Sequence, residues 1–83
     1  MNLKNNIAVS DSGFVFNPAS GESFSVNPIG LEMLNLLRQG LSQEEIVTSI
    51  EKDFQAEKIN IERDFNDFID MMKQYHLMQN EDE

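Results

Sequence analysis

The chain has 83 residues, 40% of them apolar, and a formal net charge of −9. That is enough apolar content for one folded domain, but a domain this short buries only about 60% of its unfolded surface, too little to combine a full core with a deep cleft. With no cysteine, disulfides, thiolate metal sites and cysteine nucleophiles are excluded.

Charge is unevenly placed. Through residue 40, Lys4 and Arg38 stand against Asp11, Glu22 and Glu32, a net −1, so the remaining residues carry −8. Phosphate backbones are repelled by such a half, because nucleic-acid affinity comes largely from neutralising phosphates. A partner of basic or neutral apolar character fits better. No apolar run approaches the roughly 20 residues that span a bilayer. The opening segment lacks the apolar stretch of a secretory signal. A cytoplasmic location with no membrane partner is therefore expected.

The first third reads as strands. Leu3, Ile7 and Val9 share one parity, with Lys4 and Asn6 opposite, which suits a half-buried strand. Asp11-Ser12-Gly13 marks a tight turn, after which Phe14-Val15-Phe16 puts both rings on one face. Asn17-Pro18-Ala19-Ser20-Gly21 is a second turn signal. In Glu22 to Val26, Phe24 and Val26 alternate with Ser23 and Ser25. Two short turns between three runs predict a three-stranded antiparallel meander.

The rest reads as helices. Asn27-Pro28 is a cap followed by proline at the first helical position. The first helix is expected from about Pro28 to Gln39, with Ile29, Met33, Leu34, Leu36 and Leu37 as its apolar stripe and Gly40 as a left-handed stop. Ser42-Gln43-Glu44-Glu45 is a capping box. It opens a second helix to about Gln55 that carries Ile46, Val47, Ile50 and Phe54. The short link between them predicts a helix-turn-helix. Gln55 to Asn60 reads as a polar link. A third helix is expected from about Ile61 to Tyr75, with Ile61, Phe65, Phe68, Ile69 and Met72 inward and Met71 and Tyr75 widening the stripe on one side. Leu77 and Met78 are expected to cover the bottom of the core, which sets a domain of residues 1–78 and an acidic, disordered tail at 79–83.

No constellation for catalysis emerges. His76, the sole histidine, follows a helix end and lacks the positioning a general base needs. Glu62, Asp64, Asp67 and Asp70 spread around the third helix instead of converging as metal ligands must. They read as a solvated acidic face. Neither a catalytic residue, a metal site nor a cofactor is expected. A DNA-binding winged helix needs a basic recognition helix, whereas the second helix holds Lys52 against Glu44, Glu45, Glu51 and Asp53.

In order and in residues, the chain resembles the PqqD-like family. Asn27-Pro28-Ile29-Gly30 is similar to its helix-opening segment, and Leu36-Leu37 with Gly40 to its paired leucines and closing glycine. Ser42-Gln43-Glu44-Glu45-Ile46-Val47 resembles its Thr/Ser-x-x-Glu-Ile signature. Asp64-Phe65, Phe68-Ile69, Met72 and Leu77 follow its spacing in the last helix, while His76 stands where the family usually has glycine. The resemblance covers roughly Ser12 to Met78. It implies an α+β, winged-helix-like fold, a three-stranded meander followed by a three-helix bundle with a helix-turn-helix. It also implies a non-catalytic role: capture of the leader of a ribosomally made precursor peptide for a modifying enzyme, often of the radical S-adenosylmethionine type, in pyrroloquinoline quinone or related peptide biosynthesis. In the family the leader lies as an added strand beside the third strand, against the third helix. Carried onto this chain, the peptide-binding residues expected are Ser23, Phe24, Ser25 and Val26 on the strand and Asp64, Asp67, Phe68, Met71 and Tyr75 on the helix. The acidic helix wall calls for a leader with apolar anchors and some Lys or Arg. The competing reading is a structural or regulatory winged-helix module that meets a folded protein through the same edge.

Overall fold

The structure, a computed structural model, describes residues 3, 4 and 6–78; the tail expected at 79–83 lies outside the described residues. Three strands come first: β1 (Ala8–Val9), β2 (Phe14–Asn17) and β3 (Glu22–Ser25), antiparallel in the order β1-β2-β3. This is the expected meander. Its second turn is organised by Asn17, whose side chain is buried and accepts the Ala19 N–H at 3.0 Å, while its carbonyl accepts the Gly21 N–H at 2.8 Å. Because successive strand residues point to opposite faces, Val15 and Asn17 turn inward, and Phe14 and Phe16 turn outward into solvent.

The first strand is shorter than its apolar parity suggests. Leu3 and Ile7 are buried as expected, but Leu3 forms an isolated antiparallel bridge with Met78, and the Lys4 N–H donates to the Leu77 carbonyl at 2.8 Å. Leu3 and Lys4 are thus tied to Leu77 and Met78 and do not lengthen the sheet.

Helices α1 (Pro28–Arg38), α2 (Gln43–Phe54) and α3 (Lys58–Gln74) follow. The side chain of Asn27 accepts the Gly30 N–H at 2.7 Å, capping α1. Gly40, at φ +86°, closes α1 by directing the Leu41 N–H to the Leu36 carbonyl and its own N–H to Leu37. The capping box of α2 forms in both directions: the Glu45 N–H donates to Ser42 Oγ at 3.2 Å, and the Ser42 N–H to Glu45 Oε1 at 2.8 Å.

Two expectations fail at the junction of α2 and α3. Phe54, placed in the apolar stripe, is 38% exposed, one turn beyond the last packed residue, Ile50. The polar link is also shorter, since α3 already begins at Lys58. Its first three residues bury no large side chain, with Ile59 72% exposed, so apolar periodicity carries no trace of them. The core lies between the helices and the inner sheet face, centred on Val15, Leu34, Ile46, Ile50, Phe65 and Met72.

At the end of α3, His76 takes the left-handed conformation, φ +61°. Its N–H reaches the Lys73 carbonyl at 3.0 Å, and the Leu77 N–H reaches Met72 at 2.9 Å. That pair of bonds is the Schellman closure glycine favours, which accounts for the family's glycine at this place. A side chain in this region costs about 1–2 kcal/mol, partly offset by the extra unfolded-state freedom of glycine. His76→Gly is therefore expected to stabilise the domain by roughly 0.5–1 kcal/mol, raising the thermal midpoint by about 2–8 °C; calorimetry checks it.

Candidate functional site

β3 is an edge strand, and the phase of its ladder decides what the edge offers. The register pairs Phe14 with Ser25, Val15 with Phe24, Phe16 with Ser23 and Asn17 with Glu22. The Val26 N–H donates to the Gly13 carbonyl at 2.8 Å. Antiparallel pairs alternate between hydrogen-bonded and non-bonded, so Phe24 and Glu22 spend their backbone bonds on β2. Ser23 and Ser25 fall in the non-bonded pairs. Their N–H and C=O groups point away from the sheet, where β3 has no further neighbour among the described residues.

Beside this edge lies a groove of about 380 Å³. Ser25 and Val26 form one side as β3 runs out, Asn27, Ile29, Gly30 and Met33 continue it along α1, and Asp64, Asp67, Phe68 and Met71 of α3 face them. The local sequence builds this closeness. A Cβ at Gly30 would sit 3.1 Å from Val26 Cβ and 3.2 Å from Asn27 Oδ1, so glycine lets the strand end pass tightly over the first turn of α1. No Cα of β3 comes within 8 Å of a Cα in α3, leaving the space between them to side chains.

The groove is greasy below and acidic at the rim. Met33 and Phe68 are buried, while Val26, Ile29 and Met71 are half-buried against the core. Asp64 and Asp67, one helical turn apart, are exposed. Arg63 stands 3.9 Å from Asp64 with both side chains in solvent, a pair of little strength. One turn beyond Met71, Tyr75 stacks on Phe24 with ring centroids 4.9 Å apart and planes at 19°. This stack bridges the third strand and the end of the third helix.

Of the residues singled out in the sequence, Ser25, Val26, Asp64, Asp67, Phe68 and Met71 line the groove. Phe24 and Tyr75 do not, being engaged with each other, and Ser23 contributes edge backbone only. The sequence reading missed Asn27, Ile29, Gly30 and Met33. A signal existed: β3 and α1 are separated by Val26 and Asn27 alone, so the first turn of α1 must lie beside the strand's end. Among the described residues, no three His, Asp or Glu side chains gather where a metal ion would sit.

Comparisons with known proteins agree on the architecture. A chain described as TbiB1 in complex with the TbiA(beta) leader peptide superposes with a TM-score of 0.84 at 24% identity, covering 96% of each chain. Lasso peptide synthetase B1 complexed with the leader peptide superposes at 0.79 with 22% identity, over 92% of this chain and 93% of that one. Such identities establish the fold. No curated protein matches the sequence significantly. The sequence model of Coenzyme PQQ synthesis protein D (PqqD) matches residues 13–78. This match runs from the first turn of the meander through the closure of α3, and the chain belongs to the PqqD family.

Proposed function

We propose that this protein is a non-catalytic recognition domain that binds the leader of a ribosomally made precursor peptide and presents it to a separate modifying enzyme, of the radical S-adenosylmethionine type, in the cytoplasm. The observation that carries the reading is the outward backbone of Ser23 and Ser25 beside an apolar groove. An extended peptide completes a free ladder with main-chain bonds, and alternate side chains entering pockets supply specificity. Membership of the PqqD family supports it, as do two proteins of like fold whose structures hold leader peptides.

On this reading Ser23 and Ser25 bond the leader's backbone. Val26, Phe68 and Met71 receive an apolar anchor together with Ile29 and Met33. Asp64 and Asp67 meet a Lys or Arg at the rim. Phe24 and Tyr75 hold the strand at its distance from α3. Titration of the ¹⁵N-labelled protein with a synthetic leader peptide tests this. The amides of Ser23, Ser25 and residues 64–75 should shift most; shifts confined to α2 would overturn it.

The rim charges give a second test. Exposed ion pairs contribute about 0.2–1 kcal/mol each and weaken with salt. The double substitution Asp64→Asn, Asp67→Asn is expected to weaken leader binding about two- to thirtyfold at low ionic strength, with the difference shrinking as salt rises. Calorimetric titration at two salt concentrations measures it.

A further inference from the structure

The outer face of the sheet carries two phenylalanines that the core does not use. Phe14 is 49% exposed and Phe16 38% exposed, although each has a buried neighbour in Val15. The register sets Ser25 across from Phe14, and Ala8 and Ser23 on either side of Phe16. All three flanking side chains are small and exposed, so the rings stand clear of their surroundings. Among the described residues no element packs against this face, since β1, β2 and β3 use the other one for the core.

We infer that this face is a second interaction surface, which docks the modifying enzyme onto the peptide-loaded domain through Phe14 and Phe16. The inference rests on the strand-addition reading of β3. Strands lie about 4.8 Å apart, so the outward side chains of a peptide added beyond β3 stand roughly 10 Å from the rings of β2. One partner footprint then covers both rings and the cargo, and distinguishes the loaded domain from the empty one.

Charge selects the kind of partner. Residues 8–26 contain Asp11 and Glu22 and no Lys or Arg. The fitting surface presents an arginine or lysine beside an apolar pocket, with the cation placed over a ring. A second copy of this chain fits poorly. The two exposed rings offer roughly 170 Å² on the usual size of a buried aromatic side chain, against about 800 Å² per partner in a stable complex, and each copy carries −9. A small aromatic patch suits a transient contact made only while cargo is passed on.

The test uses the full chain, its precursor peptide and the enzyme that modifies that precursor, each purified. The double variant Phe14→Thr, Phe16→Thr keeps β-favouring residues at exposed positions. It is expected to bind the precursor with an affinity within about twofold of wild type, while the domain concentration for half-maximal modification rises about tenfold or more, as for loss of an aromatic hot spot. If the double variant folds poorly, Phe14→Thr alone serves. Independently, the enzyme should broaden the amide signals of Ala8, Phe14 and Phe16 in the labelled, loaded wild-type chain. Half-maximal modification reached with the variant at wild-type domain concentrations, or broadening confined to α2, overturns the proposal. Failure of the wild-type chain to bind precursor appears before enzyme is added, and counts against the groove.

Discussion

Ser25→Pro is expected to weaken leader binding by about five- to 150-fold while the domain stays folded. Ser25 lies in a non-bonded pair with Phe14, so its N–H faces the open edge. Proline is tolerated where a strand's N–H points to solvent, and its demand for extended backbone in the preceding residue is met by Phe24, already within β3. What disappears is one donor to the visiting peptide, whose carbonyl is left unpaired at a cost of about 1–3 kcal/mol. The neighbouring Phe24→Pro should behave in the opposite sense. The Phe24 N–H belongs to the hydrogen-bonded pair with Val15, and its ring stacks on Tyr75, so this variant loses the sheet itself. Circular dichroism and fluorescence polarisation with a labelled leader separate the two. Undiminished binding by Ser25→Pro would mean that the leader does not lie along β3.

The contrast between adjacent residues could not be read from the sequence. Alternation of Ser23 and Ser25 with Phe24 and Val26 reveals which side chains face inward, but the phase of the hydrogen bonds depends on how β2 aligns, and that is set by the turn at Asn17. Features written in single residues were legible: the Asn27 cap, the Ser42–Glu45 box and the Gly40 stop, because each satisfies its own helix end. Features that bury nothing were silent, such as the first three residues of α3 around Ile59. The α3 side of the groove was visible as a widened stripe at Met71, whereas Ile29 and Met33 looked like ordinary core. Their second role arises from the passage of β3 over α1, a tertiary contact that periodicity does not encode. The stack of Phe24 on Tyr75 was silent for the same reason: nothing local announces that two rings so far apart in sequence will find each other.

Gly13→Ala should be the most damaging single change of a small side chain in the sheet, and Gly21→Ala its control. Both glycines lie in the left-handed region, at φ +93° and +79°, so each substitution incurs a net cost of about 0.5–1 kcal/mol once glycine's unfolded-state freedom is counted. They differ in what surrounds them. A Cβ at Gly21 meets nothing within 4 Å, whereas one at Gly13 lands 2.5 Å from the Val26 carbonyl oxygen. That oxygen cannot swing aside as a long side chain would. It belongs to the residue whose N–H is bonded to Gly13 at 2.8 Å, where β3 hands over to the groove. The clash must be relieved by moving the strand's exit, which raises the total cost to about 3 kcal/mol or more, within the range of strained backbone sites. For a domain of this size that is roughly 12–24 °C in thermal midpoint, against about 2–8 °C for the control. Moving Val26 also moves one wall of the groove, so Gly13→Ala should bind leader more weakly even at temperatures where it remains folded, and Gly21→Ala should not. Equal thermal losses and unchanged binding in the two variants would show that the Gly13–Val26 contact does not hold the groove's wall in place.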